Sequence, residues 1–314
     1  MSTTELLRKI YYDPEHPAGF GSAEDVYRAA KKMGKKINRG EVEKFLQRQD
    51  AYTLHRPVRK NFPRRKTLAR HVDHIWQADL IDMQQISKEN RGFRYILTVI
   101  DILSRYAFAI PVKNKTGKSM IDAFKKIFNK SKRSPKKLFT DDGAEFFNRQ
   151  FKSFLRENKI IHYSTASDVK ASLVERFNRT LKSRMFRYFT ARKTLYYLHL
   201  LPKLLLSYNR RTHSAHGKAP VNVTKKNQKD VWEILYGKYV KTKLKPAKFQ
   251  QGDSVRLAKL RGAFKKSYLK GWTDELFIIH TVQETSPRSY KVRDTSGEIL
   301  KGSFYESELT KVRL

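Results

Sequence analysis

Apolar positions recur along this chain with two different periods, and the change of period divides it. From Ala23 to Met33, Val26, Ala29, Ala30 and Met33 follow the spacing of a helix, with Ser22 placed to cap its start and Gly34 to end it. Asn38 is placed to cap a second helix, in which Val42, Phe45 and Leu46 share one face. Two short helices joined by Gly34-Lys-Lys-Ile37 fit a helix-turn-helix-like unit over residues 1–50, and equally any small helical bundle. Ile75–Met83, Arg94–Ile102 and Tyr106–Val112 are instead β-branched and aromatic runs, separated by Gly92 and by Ser104-Arg105, and they predict three successive antiparallel strands.

Beyond those strands, amphipathic helices at Ser119–Asn129, Phe147–Glu157 and Ser172–Tyr188 alternate with short strands at Lys137–Thr140 and Ile160–Ser164. Three strands followed by alternating helices and strands describe a ribonuclease H-like α/β arrangement. Residues 194–245 read as helical and basic, broken at Pro202 and Pro220. Past residue 249 the pattern becomes one of short alternating strands, at Asp253–Leu257, Glu275–Ile279, Ser289–Arg293 and Glu298–Lys301. With turns at Gly252, Gly271, Pro287 and Thr295-Ser-Gly297, they predict a small β-barrel. The expected order is a helical unit (1–50), a linker (51–71), an α/β core (72–230), a basic connector (231–248) and the barrel (249–314).

Charge adds a partner to this outline. Lys and Arg number 67 against 30 Asp and Glu, a formal net charge of +37, and a 39% hydrophobic share is still enough to fold. Such an imbalance calls for a polyanion. The charge runs along the whole chain rather than on one amphipathic helix, so nucleic acid is favoured over a membrane surface. Residues 51–71 carry seven basic residues and no acid, which makes Arg56, Arg59, Lys60, Arg64, Arg65 and Lys66 candidates for phosphate contact or for a nuclear-import signal. The chain has no Cys, which excludes disulfides, thiolate zinc modules, thiol nucleophiles and iron–sulfur ligation. No apolar run reaches the length of a membrane span and the amino end lacks a signal-type apolar core, so the expectation is a soluble, intracellular protein.

Three acids stand out against this basic background. Asp79 lies inside the apolar strand Trp76-Gln-Ala-Asp79-Leu80, where a carboxylate costs desolvation unless a cation compensates. Asp141 ends the fourth strand, in Phe139-Thr-Asp-Asp-Gly143, and Glu175 sits in the helix beginning at Ser172. Convergent carboxylates from different elements are what two divalent cations need for phosphoryl transfer, since hard cations take oxygen ligands. Each acid also has a bland reading: Asp-Gly as a turn, Ser172-Leu-Val-Glu175 as a capping box, Asp79 as half of an ion pair. The stretch behind Glu175 favours chemistry. Residues 176–229 hold fourteen Lys and Arg and no acid, with Arg179 and Lys182 on the Glu175 face.

These residues resemble a family. Trp76-Gln-Ala-Asp79-Leu80, Val99-Ile-Asp101-Ile-Leu-Ser-Arg105-Tyr-Ala107, Thr140-Asp-Asp-Gly-Ala-Glu-Phe146 and Asp168-Val-Lys-Ala-Ser-Leu-Val-Glu175-Arg-Phe-Asn-Arg-Thr-Leu-Lys182 are similar to the motifs of DDE-type integrases, most closely those of Maverick/Polinton transposons and related transposon-derived proteins. The likeness runs nearly the full chain. It includes Tyr11-Tyr-Asp-Pro-Glu-His-Pro-Ala18 near the start and Gly302-Ser-Phe-Tyr-Glu-Ser-Glu-Leu309 near the end.

The resemblance implies a mixed five-stranded ribonuclease H-like core, a carboxyl-terminal Src-homology-3-like or chromo-like barrel, and Asp79, Asp141 and Glu175 as catalytic, metal-holding carboxylates. It implies two Mg²⁺ or Mn²⁺ ions and no zinc, DNA ends and target DNA as partners, a homo-oligomer of tetramer type, and a nuclear place of work. Lys170, Arg176, Arg179 and Lys182 become DNA-contact candidates. Asp101 resembles a supporting acid, and Asp142 competes with Asp141 as the ligand of its pair. The interval of 33 residues between Asp141 and Glu175 is slightly shorter than in retroviral relatives. Trp272, Phe277, Tyr290 and Tyr305 are candidates for an aromatic cage through which the barrel contacts chromatin, against their use as barrel core. The implied activity is DNA integration by end processing and joining. The rivals are a nuclease that only hydrolyses and a catalytically silent, domesticated DNA-binding protein.

Overall fold

Three capping boxes in succession start the chain, each a short side chain accepting from a backbone N–H while an acid three residues on reaches back. The computed structural model describes all residues except 35, 60–61, 165–171, 245, 260–268 and 314. Ser2 with Glu5 opens α1 (Thr3–Tyr12), Ser22 with Asp25 opens α2 (Ala23–Lys32), and Asn38 with Glu41 opens α3 (Arg39–Leu46). α4 (Asp50–Thr53) follows. Leu6, Leu7, Ile10 and Tyr11 of α1 close a core with Val26, Ala30, Val42, Phe45 and Leu46. α1 is absent from the elements expected from sequence. Its cap and its apolar stripe are both present, but it is only ten residues long.

The chain divides into two compact units, one formed by its two ends, Met1–Arg65 with Lys243–Leu314, and one by Lys66–Thr242. In the first, an antiparallel five-stranded sheet packs around Phe249, Val255, Ile279, Tyr290 and Val292. Its strands are β6 (Ser254–Leu257), β7 (Phe277–Gln283), β8 (Ser289–Arg293), β9 (Phe304–Tyr305) and β10 (Leu309–Lys311), in spatial order β10-β6-β7-β8-β9. Glu298–Lys301, expected as a strand, is not one. The Asp294 carboxylate accepts from Glu298 N at 2.8 Å and tightens the turn, leaving Ile299 a single bridge to Arg293.

Within this unit the helices and the sheet are joined by buried polar contacts. Arg256, 4% exposed, reaches Asp50 at 2.7 Å, Trp272 Nε1 donates to Arg56 O at 2.7 Å, and Arg313 N donates to Gln47 O at 2.9 Å. Residues 51–53 finish α4 and Leu54 is buried, so the segment expected as a wholly extended linker starts as folded structure. Trp272, Phe277, Tyr290 and Tyr305 are all buried and form no exposed cage, which corrects that reading in favour of core.

The second unit carries the mixed sheet: β1 (Ile75–Asp82), β2 (Tyr95–Asp101), β3 (Ala107–Val112), β4 (Lys137–Phe139) and β5 (Ile161–Tyr163), in order β3-β2-β1-β4-β5. β1, β2 and β3 are antiparallel, while β4 and β5 run parallel to β1. Side chains alternate across β1. Trp76 and Ala78 face α5 (Gly117–Ser131) and α6 (Arg149–Glu157), whose Phe124 and Phe151 fill one core. Ile75 and Ile81 face α7 (Ser172–Arg192) and α8 (Leu201–Arg210), whose Phe177, Leu181 and Leu201 fill the other. Gln77 and Asp79, sharing that parity, are therefore aimed at α7. Pro202, expected as a break, lies in the first turn of α8, where its missing N–H costs no hydrogen bond. α9 (Gln228–Trp232), a π turn at Glu233–Gly237 and α10 (Lys238–Lys241) end the unit.

Asp101, fully buried at the end of β2, ties the sheet's corner. Its carboxylate accepts from Asp73 N at 3.2 Å, from Ser104 N at 3.0 Å and from the Ser104 hydroxyl, with Arg133 at 3.5 Å. Burial first, and then Asp73, push its acid up to about 6. Asp101→Ala is expected to lower stability by about 3 kcal/mol, because it strands the buried donors of Asp73 N and Ser104 together, while Arg133 keeps its pair with Asp73. Asp101→Asn, which keeps an acceptor, is expected to cost less, and urea denaturation of the two variants measures the difference.

Candidate active site

The parallel register between β1 and β4 builds the site. Gln77 pairs with Phe139, and continuing that register by two residues sets Asp141, just past the strand's end, beside Asp79. Adjacent strands lie roughly 4.8 Å apart, so the two acids leave neighbouring backbones. Glu175 comes from the first turn of α7, over the same face of the sheet. The Asp79 acid is pushed up to about 6, mainly by burial and further by the charges of Asp141 and Glu175. The structure therefore sets Asp141 and Glu175 within electrostatic reach of Asp79.

Among the described residues, none of the three acids forms a salt bridge with Lys or Arg. Asp141 and Glu175 are exposed and Asp79 is half-buried. The trio is open: Asp79 senses the charges of the other two but, among the described residues, the three do not close into a cage of metal-ligating groups. Hard oxygen donors with unbalanced like charge fit a divalent cation better than any other partner. Asp142 is differently employed, its carboxylate accepting the Ser164 hydroxyl beyond β5. Residue 171, just before α7, lies outside the described residues, and with it any cap of the helix from that side.

Acceptors for the start of α7 come from the sheet. Gln77, 2% exposed, offers Oε1 to both Leu173 N and Val174 N at 3.1 Å, taking up two of the unpaired N–H groups at the start of α7. One turn on, Asn178 Nδ2 donates to Asp79 Oδ2 at 2.8 Å, and the Thr98 hydroxyl donates to Asn178 Oδ1 at 2.7 Å. Thr98 is the cross-strand partner of Asp79. Two amides thus clamp the Glu175 helix onto the Asp79 strand. Sequence reasoning missed Gln77, Thr98 and Asn178. The available signal was polarity out of place: a Gln two residues before Asp79 in an apolar strand, and an Asn three residues after Glu175 on the helix's buried side.

The DNA-contact candidates divide. Arg176, Arg179 and Lys182 are exposed on α7. Lys66 is engaged, its Nζ donating to Leu235 O at 3.1 Å. In the other unit, Arg56 donates to the Thr310 hydroxyl at 3.4 Å, and Arg64 lies 3.8 Å from Glu308. Arg65 donates its backbone N–H to the Tyr305 hydroxyl at 3.0 Å. Arg59 belongs to the same unit. Lys60 and Lys170 lie outside the described residues.

A pH dependence follows from Asp79. Its acid is raised from 3.8 to about 6, so between those values the folded chain holds more protons than the unfolded one, and stability falls as pH rises through the interval. Above pH 6 the full cost is present. Without divalent cations, Asp79→Asn is expected to stabilise the chain by about 1 kcal/mol at pH 7.5 and to give no gain near pH 4. Urea denaturation at the two pH values measures this.

Comparison with known proteins agrees with the geometry. Residues 69–167 match the model of the integrase core domain. The transposon-derived protein F54H12.3 of Caenorhabditis elegans is 32% identical over 214 residues, covering 68% of this chain and 71% of that protein. The Pol polyprotein of Radiation murine leukemia virus (strain Kaplan) is 28% identical over 160 residues, half of this chain but a quarter of the polyprotein. Among solved structures, a chain of the simian T-cell lymphotropic virus intasome in complex with PP2A regulatory subunit B56 gamma shares the fold. Its TM-score is 0.60 at 18% identity, over 93% of this chain and 99% of that one. With the mixed sheet, the acid-bearing strand and the match to a transposon-derived relative over most of both chains, this protein belongs to the DDE integrase superfamily.

Proposed function

We propose that this protein is a DNA integrase or transposase, a polynucleotidyl transferase that trims the 3′ ends of a mobile element and joins them to target DNA. The observation that carries the reading is the Asp79 acid, half-buried, pushed up to about 6 by burial with Asp141 and Glu175 adding to it, and lacking a basic partner among the described residues. That arrangement costs stability unless a cation is held. Divalent cations, Mg²⁺ or Mn²⁺ and two per site, would supply Lewis acidity to the reacting phosphate and a lowered proton affinity to water. Asp79, Asp141 and Glu175 would hold them, with the exposed Asp141 and Glu175 drawn inward.

The remaining residues position. Asn178 holds one oxygen of Asp79, and Gln77 fixes the start of the Glu175 helix. Arg179 and Lys182 follow Glu175 along one face and meet phosphates of the bound strand. Water attack trims the end, and the freed 3′-hydroxyl then attacks a target phosphodiester in line, with the leaving 3′-oxygen taking up a proton and no covalent bond to protein. Two DNA ends and one target call for several copies of the chain, a tetramer in this reading, working in the nucleus of a eukaryotic host.

The experiment supplies labelled duplexes of the element's terminal sequence with Mg²⁺ or Mn²⁺ and resolves the strands. Shortened and joined strands together support the proposal. Shortened strands alone reduce it to a nuclease, and unchanged strands leave a DNA-binding protein.

A further inference from the structure

On the edge of α7 away from Glu175 lies a cavity of about 300 Å³ that the trio does not use. Arg105, Arg176, Thr180, Arg184, Arg211 and His213 line it. No acid contributes to its wall, and none of the four arginines forms a salt bridge among the described residues. Arg176, Thr180 and Arg184 recur at four-residue spacing and make one stripe of the helix, while Glu175, Arg179 and Lys182 make another. The two stripes diverge, so the cavity is a separate site.

Arg105 gives the cavity its character. It is 7% exposed, takes a left-handed backbone at φ 62° in the turn between β2 and β3, and spends Nη1 on Ile102 O. Its Nε is buried and meets no acceptor among the described residues. A buried guanidinium N–H without an acceptor is destabilising, and a ligand oxygen that reaches it removes that cost. The wall around it is fixed. Phe177 and Tyr208 pack edge to face at 4.8 Å, and Asn209 clasps both the N–H and the C=O of Ala107 at 2.9 Å, pinning α8 to β3.

We infer that this cavity is a phosphate-binding site, in which Arg105 at the base and Arg176, Arg184 and Arg211 at the mouth take one phosphate or phosphodiester group. Guanidinium forks match tetrahedral oxyanions, and the Thr212 hydroxyl adds a neutral donor. The group comes from a nucleic-acid backbone or from a free phosphate compound.

Pyrophosphate binding to the full chain, without divalent cations and at fixed ionic strength, tests the site by calorimetry. The chain is expected to bind pyrophosphate saturably. Arg176→Gln with Arg211→Gln, both exposed positions, is expected to weaken binding at least about tenfold. Lys125→Gln with Lys126→Gln, exposed on α5, removes the same charge elsewhere and is expected to change it little. A short DNA duplex that displaces pyrophosphate identifies the backbone as the source, and one that does not identifies a free phosphate compound. Absence of saturable binding, or equal weakening by the two double variants, would overturn the site. Because no cation or strand joining is involved, either result stands apart from the integrase proposal.

Discussion

Asp141→Asn is expected to lower the rate of strand joining on the order of 10³-fold, since a lost cation ligand forfeits several kcal/mol of charge stabilisation at about 1.4 kcal/mol per tenfold. Asp142→Asn provides the internal control. The two acids are adjacent in sequence and both exposed, yet only Asp141 is placed by the β1–β4 register beside Asp79, while Asp142 is occupied by the Ser164 hydroxyl. Asparagine at 142 can still accept that hydroxyl, so the effect there is expected to stay within roughly threefold. Single-turnover joining rates, with DNA affinity measured in parallel, separate loss of chemistry from loss of binding. A reversed ranking would move the ligand to Asp142.

The second large effect belongs to residues that touch no substrate. Gln77→Leu is expected to lower joining by about 10- to 100-fold, the range for groups that orient ligands rather than serve as them. The substitution keeps volume and removes the acceptor for Leu173 N and Val174 N, so the start of α7 loses its seat and Glu175 its aim. Asn178→Ala acts on the other partner, freeing the Asp79 oxygen it holds at 2.8 Å. Its expected signature is a higher Mg²⁺ concentration for half-maximal rate rather than a lower rate at saturating Mg²⁺. Lost stability alone would give neither pattern, because activity per folded molecule would be unchanged.

Much of this was readable in the sequence where the information is local. Val26, Ala30, Val42 and Phe45 follow helical spacing and form the core they imply, and Asp79 betrays itself as an acid in an apolar strand. The three antiparallel strands and the alternation of helices and strands after them are present as expected, though their spatial order had to come from the structure. What escaped depends on which distant segments meet. Nothing within Gln77's own strand says that its amide caps a helix starting 95 residues later, since the partners are the backbone N–H groups of Leu173 and Val174. Glu298–Lys301 alternates like a strand but has its ladder interrupted by the Asp294 turn. Pro202 reads as a helix breaker until its position in the first turn is known. Arg105 sits in a motif that suggested only a turn. Its burial beside a cavity required α7 and α8 to be in place.

The central claim is that Asp79, Asp141 and Glu175 form a cation site, and Mn²⁺ binding to the whole chain tests it most directly, followed by electron paramagnetic resonance at pH 7.5. Saturable binding is expected. It should weaken at least about tenfold in Asp79→Asn and again in the unsubstituted protein as pH falls below about 6, where Asp79 takes up its proton. Mn²⁺ binding that is equally tight in Asp79→Asn and indifferent to pH across that range would contradict the account.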